Sequence, residues 1–440
     1  MKELDLALEI LNDDLDKGKH FNDALSDVFK KRPEERPYRA DVSGLLGCEL
    51  RHHELFTYLL NSNEFQEFTV EDKRVASLGL ANDYFFRHFE RSKMDEAIKE
   101  KLGEEKFAKL LPLLDKSGNP ESYIPESVER SSNLFLTLRY NIPEWLLKIL
   151  LHEGHAATYK TIREFQKRYV NFVRVTNALN PETLGEDFKG TEIKGIYAYE
   201  GKTPLRKLDD LKDKVFEERP YVKMVYDMIG VPSASNILLY AGQDGDEWEL
   251  EMLESASEHS NVNIASQNIE KKGKVLKAIK DKGLKNVNFF EAKNPDEMVA
   301  AISANCDVAI IAPRCSQFDR IASAPDYLLH FNADSMKEVY DMQIKALAGC
   351  AKHVEQGGRM IYCLPTISRK EGRRTVEAFL REHPEFTLDE QKQFFPFESM
   401  KVAFYYAVLY KGEKAKAEGG AQFIEAINSQ TASVASAESK

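Results

Sequence analysis

Three groups of residues in this 440-residue chain have types and spacings that could do chemistry. The first lies in the stretch 236–248, NILLYAGQDGDEW, where the apolar run Ile237-Leu238-Leu239-Tyr240 breaks into a turn carrying Gly242 and Gly245. A helical pattern, ELEMLESASEH, follows at once. Strand, glycine turn and helix N-terminus form the crevice in which an open α/β sheet holds a ligand, usually an anion. Asp244, Asp246 and Glu247 crowd this helix start and oppose a phosphate or carboxylate there; they suit a cation or an amine better. The second group is the five cysteines, Cys48, Cys306, Cys315, Cys350 and Cys363. They show no C-x-x-C pair and no zinc spacing, and an odd, scattered set reads as reduced cytoplasmic thiols. The third is basic: Arg314, with Arg369, Lys370, Arg373 and Arg374 in the loop SRKEGRR. Such residues beside a cleft contact phosphates, or else form a solvated helix start. His52 and His53 are adjacent, so on a helix they do not face one way. They read as packed or solvated, and no metal site is expected.

The elements that must position these groups follow from periodicity. Residues 1–130 form a helical domain in which 3–115 read as helices, with apolar positions three and four apart in LDLALEILNDDL, FNDALSDVFKK, RADVSGLLGCELRHHELFTYLL, DKRVASLGLANDYFFRHF and EAIKEKLGEEKFAKLLPLL. Pro33, Pro37, Gly44, Gly103 and the stretch 117–125 supply the breaks. Residues 131–230 read as a small α+β unit: a helix begun by Pro143, the alternating strand YVNFVRVTN, GIYAYEG and a helix LDDLKDKVFEE. From 231 to 412 strands and helices alternate through NVNIASQ, EKKGKVLKAIKDKGL, NVNFFEA, PDEMVAAISAN, CDVAIIAP, SMKEVYDMQIKALAGCAKHVEQ, RMIYCLP, RRTVEAFLREHP and VAFYYAVLY, with Gly357-Gly358 read as a helix stop. Residues 413–440 are polar and Ala/Ser-rich, a disordered tail. The fold class is therefore multidomain: an all-α part, a small α+β part and a C-terminal α/β part.

Hydrophobic content of 42% and charged content of 30% are those of a globular protein, and a net charge of −11 argues against strong nonspecific nucleic-acid affinity. The N-terminus is an acidic amphipathic helix without a secretory core, and no run has the length of a membrane span. A cytoplasmic protein without membrane contact is expected.

Four strings in order, LRYNIPEWLLK (138–148), APRCSQFDRIASAPDY (312–327), QGGRMIYCLPTISRKEGRRTVEAFL (356–380) and AFYYAVLYK (403–411), resemble the Sun-type (RsmB-like) RNA 5-methylcytosine methyltransferases. The resemblance runs over nearly the whole chain up to the tail. It implies a NusB-like RNA-binding helical domain, a linking domain and a Rossmann-like S-adenosylmethionine domain. It also implies a set of site positions, and at most of them this chain departs from the family. The first-strand acid falls at Leu239. The C-A-A-P-G-G-K-T turn reads AGQDGDEW, with Glu247 where the family has lysine. The acid that accepts the ribose hydroxyls falls at Gln267, and the third-strand acid at Ala292. D-A-P-C-S-G reads Ala312, Pro313, Arg314, Cys315, Ser316, Gln317, so only the cysteine and serine remain. The nucleophilic cysteine of T-C-S falls at Pro365, in Leu364-Pro365-Thr366, and proline has no thiolate. Cys363 lies two residues earlier, on the same face if the strand continues, and a register shift would bring its thiol to the site.

Loss of the acids and the nucleophile together removes the chemistry that the resemblance implies. Each lost charge-assisted hydrogen bond to the cofactor forfeits about 1.5–3 kcal/mol. The expectation is a catalytically inactive RNA-binding protein, its RNA ribosomal, with neither DNA nor membrane as partner. S-adenosylmethionine is expected only if the family function is retained, and otherwise no cofactor. Two alternatives stand beside it. One is an active methyltransferase using Cys315 or Cys363; the other is a protein-interaction scaffold, with a partner held through the helical domain. The basic stretch KKGKVLKAIKDKGLK reads as a solvated face. Phe394, Phe395 and Phe397 read as apolar packing in preference to base stacking.

Overall fold

The computed structural model describes residues 1–412 except 117, 168, 177–178, 202, 204, 212–213, 230–234, 243–246, 256–259, 268–270, 303–304 and 399. The expected tail, and Asp244, Gly245 and Asp246 of the glycine turn, lie outside the described residues. The chain divides into two compact units, Met1–Arg168 with Arg320–Ala333, and Tyr169–Asp319 with Asp334–Lys440.

The first unit is helical. Its first helix, Lys2–Lys17, buries Leu4, Leu8 and Leu11, the spacing of one helical face, and ends at Gly18, whose φ of 63° stops it. Helix Val70–Ala81 begins in a capping box, with Thr69 accepting from the Asp72 amide and the Asp72 carboxylate accepting from the Thr69 amide. Such a cap is worth about 1 kcal/mol. Two expectations are corrected here. The stretch 39–60 is two helices, Arg39–Arg51 and His53–Leu60, separated at His52. Asn141 makes the break affordable: its side-chain amide donates to Leu50 O and accepts from Glu54 N, both at 2.9 Å. Gly44 does not break a helix; it lies inside Arg39–Arg51, where a Cβ would come within 2.5 Å of the Phe86 ring. His52 and His53 go separate ways. The His52 ring stacks on Phe85 with centroids 3.5 Å apart, and burial pushes its pKa down to about 3. His53 contacts the Glu49 carboxylate at 2.9 Å.

The second unit holds two sheets. The strands are β1 (Asn171–Val175), β2 (Phe188–Gly190), β3 (Ile196–Tyr199), β4 (Val215–Glu217), β5 (Asn236–Ala241), β6 (Asn261–Ser266), β7 (Val287–Glu291), β8 (Cys306–Ala312), β9 (Val354–Leu364), β10 (Phe386–Phe394) and β11 (Phe404–Lys411). The small sheet has the order β2-β3-β1-β4 and is antiparallel. The large sheet has the order β10-β11-β9-β8-β5-β6-β7, with β5 to β9 parallel and β10 and β11 antiparallel. Alternation along the central strands feeds two cores. Ile237 and Leu239, Val308 and Ile310, and Ile361 and Cys363 pack on one face with Trp248 and Met252. Leu238 and Tyr240, Ala309 and Ile311, and Met360 and Tyr362 pack on the other with Leu347 and Phe379. Strands covered on both faces need such unbroken apolar runs.

Three readings of this part are corrected. LDDLKDKVFEE is not a helix: Asp209–Leu211 forms a 3₁₀ turn and Val215–Glu217 becomes β4. Tertiary pairing decides it, since β4 completes the edge beside β1 and brings Glu218 to Arg174 at 2.8 Å. Gly357-Gly358 is not a helix stop. The helix ends at Ala351, and the pair sits inside β9 at a register shift, where Gly357 has φ 81° and a Cβ on Gly358 would lie 3.0 Å from Asp307 O. β10 was not expected, because FTLDEQKQF lacks alternation; as an edge strand it pairs with β11 alone. Among the described residues no helix is long and apolar enough to cross a membrane.

Candidate functional site

After β5 the chain proceeds outward through β6 and β7, then returns to place β8 on the other side of β5. That reversal opens a crevice at the carboxyl ends of β5 and β8, the place where open α/β sheets bind ligands. The backbone aligns four of the positions singled out in the sequence there. Gly242 N donates to Ala312 O at 2.8 Å, Gln267 N to Ala241 O at 2.9 Å, and Ala292 N to Ser266 O at 3.0 Å. Leu239 is not at this edge: it is fully buried in mid-strand, paired in register with Ile264 and Ile310. Gly245 lies outside the described residues.

The side chains at the edge are engaged with protein. Gln267 donates its amide to Lys293 O at 3.0 Å, and a Cβ on Gly242 would lie 2.6 Å from Gln267 Oε1 and 2.7 Å from Arg314 N. The turn after β5 and the loop after β8 therefore meet at a distance that only glycine allows. Glu247 places Oε1 4.0 Å from Lys274 Nζ, and its Oε2 is buried without a hydrogen bond. Behind it Glu249, 1% exposed, accepts from Ser266 Oγ at 2.6 Å and lies 3.7 Å from Lys271 Nζ. Burial pushes Glu249 above the usual carboxylate range. With Gln267, Ala292 and Ala312 at the strand ends, the donor and acceptor set does not fit a ribose that has to be held by carboxylates.

The loops after β8 and β9 are knotted by a residue the sequence reading missed. Glu371 is fully buried. Its carboxylate accepts from Ser316 N (2.7 Å), Ser316 Oγ (2.6 Å), Thr366 Oγ1 (2.7 Å) and Gln343 Nε2 (3.1 Å). Gln343 also donates to Arg314 O at 3.1 Å. Desolvation raises the pKa of Glu371, and the four hydrogen bonds oppose the rise. The available signal was slight: one acid inside the otherwise basic loop SRKEGRR. Gln317, at the family's glycine position, keeps a glycine-like φ of 49°, a conformation that costs a side-chain-bearing residue about 1–2 kcal/mol.

The cysteines divide. Cys363 is fully buried on one face of the sheet, its sulfur 3.6 Å from Ile311 O, whereas Cys315 belongs to the core on the opposite face. β9 ends at Leu364, and Thr366 N donates to Leu364 O at 2.9 Å, a three-residue turn centred on Pro365. The alternation that would carry Cys363 to the face of Pro365 stops there, which corrects the register-shift expectation. Cys315 is the closer thiol, with Sγ 3.9 Å from Pro365 O and accepting from Gln317 N at 3.2 Å. It is 8% exposed.

Of the basic residues, Arg314, Lys370, Arg373 and Arg374 are exposed and Arg369 is half-buried. Arg373 pairs with Glu377 at 2.8 Å, and Lys370 Nζ lies 3.9 Å over the Tyr340 ring. The shared hydrogen bonds to Glu371 and Gln343 hold the two loops that carry them. In the basic helix Lys272–Asp281, Lys272 pairs with Glu291 and Val275 is buried, so the lysines form a solvated face. Phe394 is buried beside Phe404 and Tyr406, and Phe395 stacks on Phe397.

No family model matches the chain. It is 28% identical to ribosomal RNA small subunit methyltransferase B of Xanthomonas campestris over 120 residues, 24% of this chain and 26% of that protein. It is 30% identical to the probable ribosomal RNA small subunit methyltransferase B of Bacillus subtilis over 83 residues, 19% of each. The chain thus spans about a quarter or less of the length of these curated relatives. Structurally it is similar to PH0851, with a TM-score of 0.70 over 93% of this chain and 98% of that one at 17% identity. It is also similar to a methyltransferase homologue from Pyrococcus horikoshii, with a TM-score of 0.53 over 62% and 97% at 11% identity. At these identities the superpositions show the fold: a helical N-terminal part followed by a Rossmann-like α/β sheet. Fold and sequence similarity together bear out the resemblance to the Sun-type methyltransferases.

Proposed function

Starting from a Sun-type RNA methyltransferase scaffold, we propose that this chain binds RNA, ribosomal RNA in particular, without methylating it. The observation that carries the reading is the turn at Pro365. The family's nucleophile position holds a residue without a thiolate, and Cys363 lies in the core on the far face from Cys315. The strand ends also present Gln267, Ala292 and Ala312 in place of acids, so S-adenosylmethionine is not part of the reading. RNA would meet Arg314, Arg369, Lys370 and Arg374 on the two knotted loops, and the helical unit would act as a NusB-like second contact. The interior knot around Glu371 would then serve to hold a phosphate-binding surface.

Filter retention of small-subunit ribosomal RNA tests this. The triple change Arg314→Ala, Lys370→Ala and Arg374→Ala is expected to weaken binding at least about tenfold and to make its salt dependence shallower by about 2. Unchanged retention would reject the basic loops as the RNA contact, and no retention by the unaltered chain would favour the protein-interaction reading.

One observation favours a second reading, an active cytosine-C5 methyltransferase: Cys315 lies within 3.9 Å of Pro365 O, beside the family's nucleophile position. Transfer of labelled methyl to RNA that vanished in Cys315→Ser would establish it in place of the first.

A further inference from the structure

Two histidines and two aspartates that are distant in sequence meet inside the helical unit. Asp14 lies near the end of helix Lys2–Lys17, and His20 precedes helix Phe21–Lys31. Asp326 precedes and His330 ends the short helix Tyr327–His330 in the segment that joins this unit. His20 Nδ1 is 2.9 Å from Asp326 Oδ2. His330 Nε2 is 3.7 Å from the same oxygen and 2.8 Å from Asp14 Oδ1. One ligand atom from each of His20, Asp326 and His330 falls within 4.8 Å of the other two. The imidazole rings stand at 76° to each other, centroids 4.8 Å apart, so they converge without stacking.

The geometry points to a divalent transition-metal site, best suited to zinc, with His20, Asp326 and His330 as ligands and Asp14 as the fourth. Zinc bonds of roughly 2.0–2.1 Å put neighbouring tetrahedral ligand atoms about 3.4 Å apart; the contacts of 2.8, 2.9 and 3.7 Å lie within about half an ångström of that, and the two imidazoles, up to 4.8 Å apart, have to close further. Charge supports the same reading. The Asp14 and Asp326 side chains are 1% and 2% exposed, and their ion-pair partners among the described residues are imidazoles. Asp14 Oδ2 is buried with no hydrogen-bond partner. A metal ion would supply the compensating charge that favours buried carboxylates. Two neutral histidines and two carboxylates balance a dication. The His20 side chain, 56% exposed, leaves the site open to entry. A bound metal would clamp segment 320–333 onto the first two helices. Without one, Asp326 remains a cap on the Phe21 amide, 3.1 Å away, and the cluster is a hydrogen-bonded network.

The test uses the tag-free full chain, stripped with chelator and titrated with Co²⁺ and then Zn²⁺. One equivalent of Co²⁺ should give the visible bands of a tetrahedral site, Zn²⁺ should displace it, and Zn²⁺ should raise the melting temperature. His20→Ala, at an exposed position, and Asp326→Asn, which keeps the acceptor for Phe21 N, should each weaken Zn²⁺ binding at least about tenfold. His53→Ala should retain it. Absence of stoichiometric Co²⁺ or Zn²⁺ binding, or binding unchanged in both His20→Ala and Asp326→Asn, would overturn the assignment.

Discussion

Glu371→Leu is expected to lower the unfolding free energy of the α/β unit by about 3–5 kcal/mol, because four hydrogen bonds to one buried carboxylate are lost together. Leucine fills similar volume but accepts no hydrogen bond. Ser316 N, Ser316 Oγ, Thr366 Oγ1 and Gln343 Nε2 would then lose the acceptor they share. Glu371→Gln keeps one acceptor oxygen and should lose less. Urea unfolding followed by the fluorescence of Trp248, fully buried in this unit, measures both. A loss below about 1 kcal/mol for the leucine variant would mean that the loops after β8 and β9 are held by something other than this knot.

Arg174→Met should be comparably damaging, and its effect should depend on pH in a stated direction. Arg174 Nε sits 2.8 Å from Glu218 and 3.2 Å from Glu251, and both acid side chains are almost fully buried. Burial is the main cause that pushes Glu218 up to about 8; Glu251 is also raised, again chiefly by burial, and Arg174 opposes both shifts. A carboxyl raised on folding contributes stability that is fully present below its unfolded pKa and is lost as pH rises through its folded one. For Glu218 that window runs from 4.5 to about 8. Removing the guanidinium raises both acids further, so the variant's deficit should approach about 3–5 kcal/mol above pH 8 and shrink towards pH 5 as the carboxyls protonate. A deficit independent of pH would show that Arg174 acts by packing, through its contact with the Phe216 ring, and not by charge.

Much of the large sheet was legible because its strands are covered on both faces and so read as apolar runs: NILLYA, CDVAIIA and FYYAVLY are recoverable by eye. What could not be read depends on partners remote in sequence. β4 forms where β1 lacks a neighbour, and β10 is a polar edge strand. The break at His52 is satisfied by a side chain at 141. The same distinction holds at the site. The strand-end positions Gly242, Gln267, Ala292 and Ala312 came from the order of the strings, and the sheet register does bring them to one edge. Glu371 was missed because nothing in SRKEGRR shows that its acid points inward to Ser316 and Gln343. The cluster of Asp14, His20, Asp326 and His330 lay beyond any spacing rule, because 306 residues separate His20 from Asp326.

Titration calorimetry of the full chain with S-adenosylmethionine, repeated with S-adenosylhomocysteine, tests the central claim most directly. A noncatalytic scaffold predicts no saturable heat with either compound up to millimolar concentration, because Gln267 is tied to Lys293 O and the neighbouring strand ends carry alanines. Saturable binding at micromolar concentration would contradict it. The cofactor would then be held by contacts other than the family's acids, and the methyltransferase reading through Cys315 would take precedence.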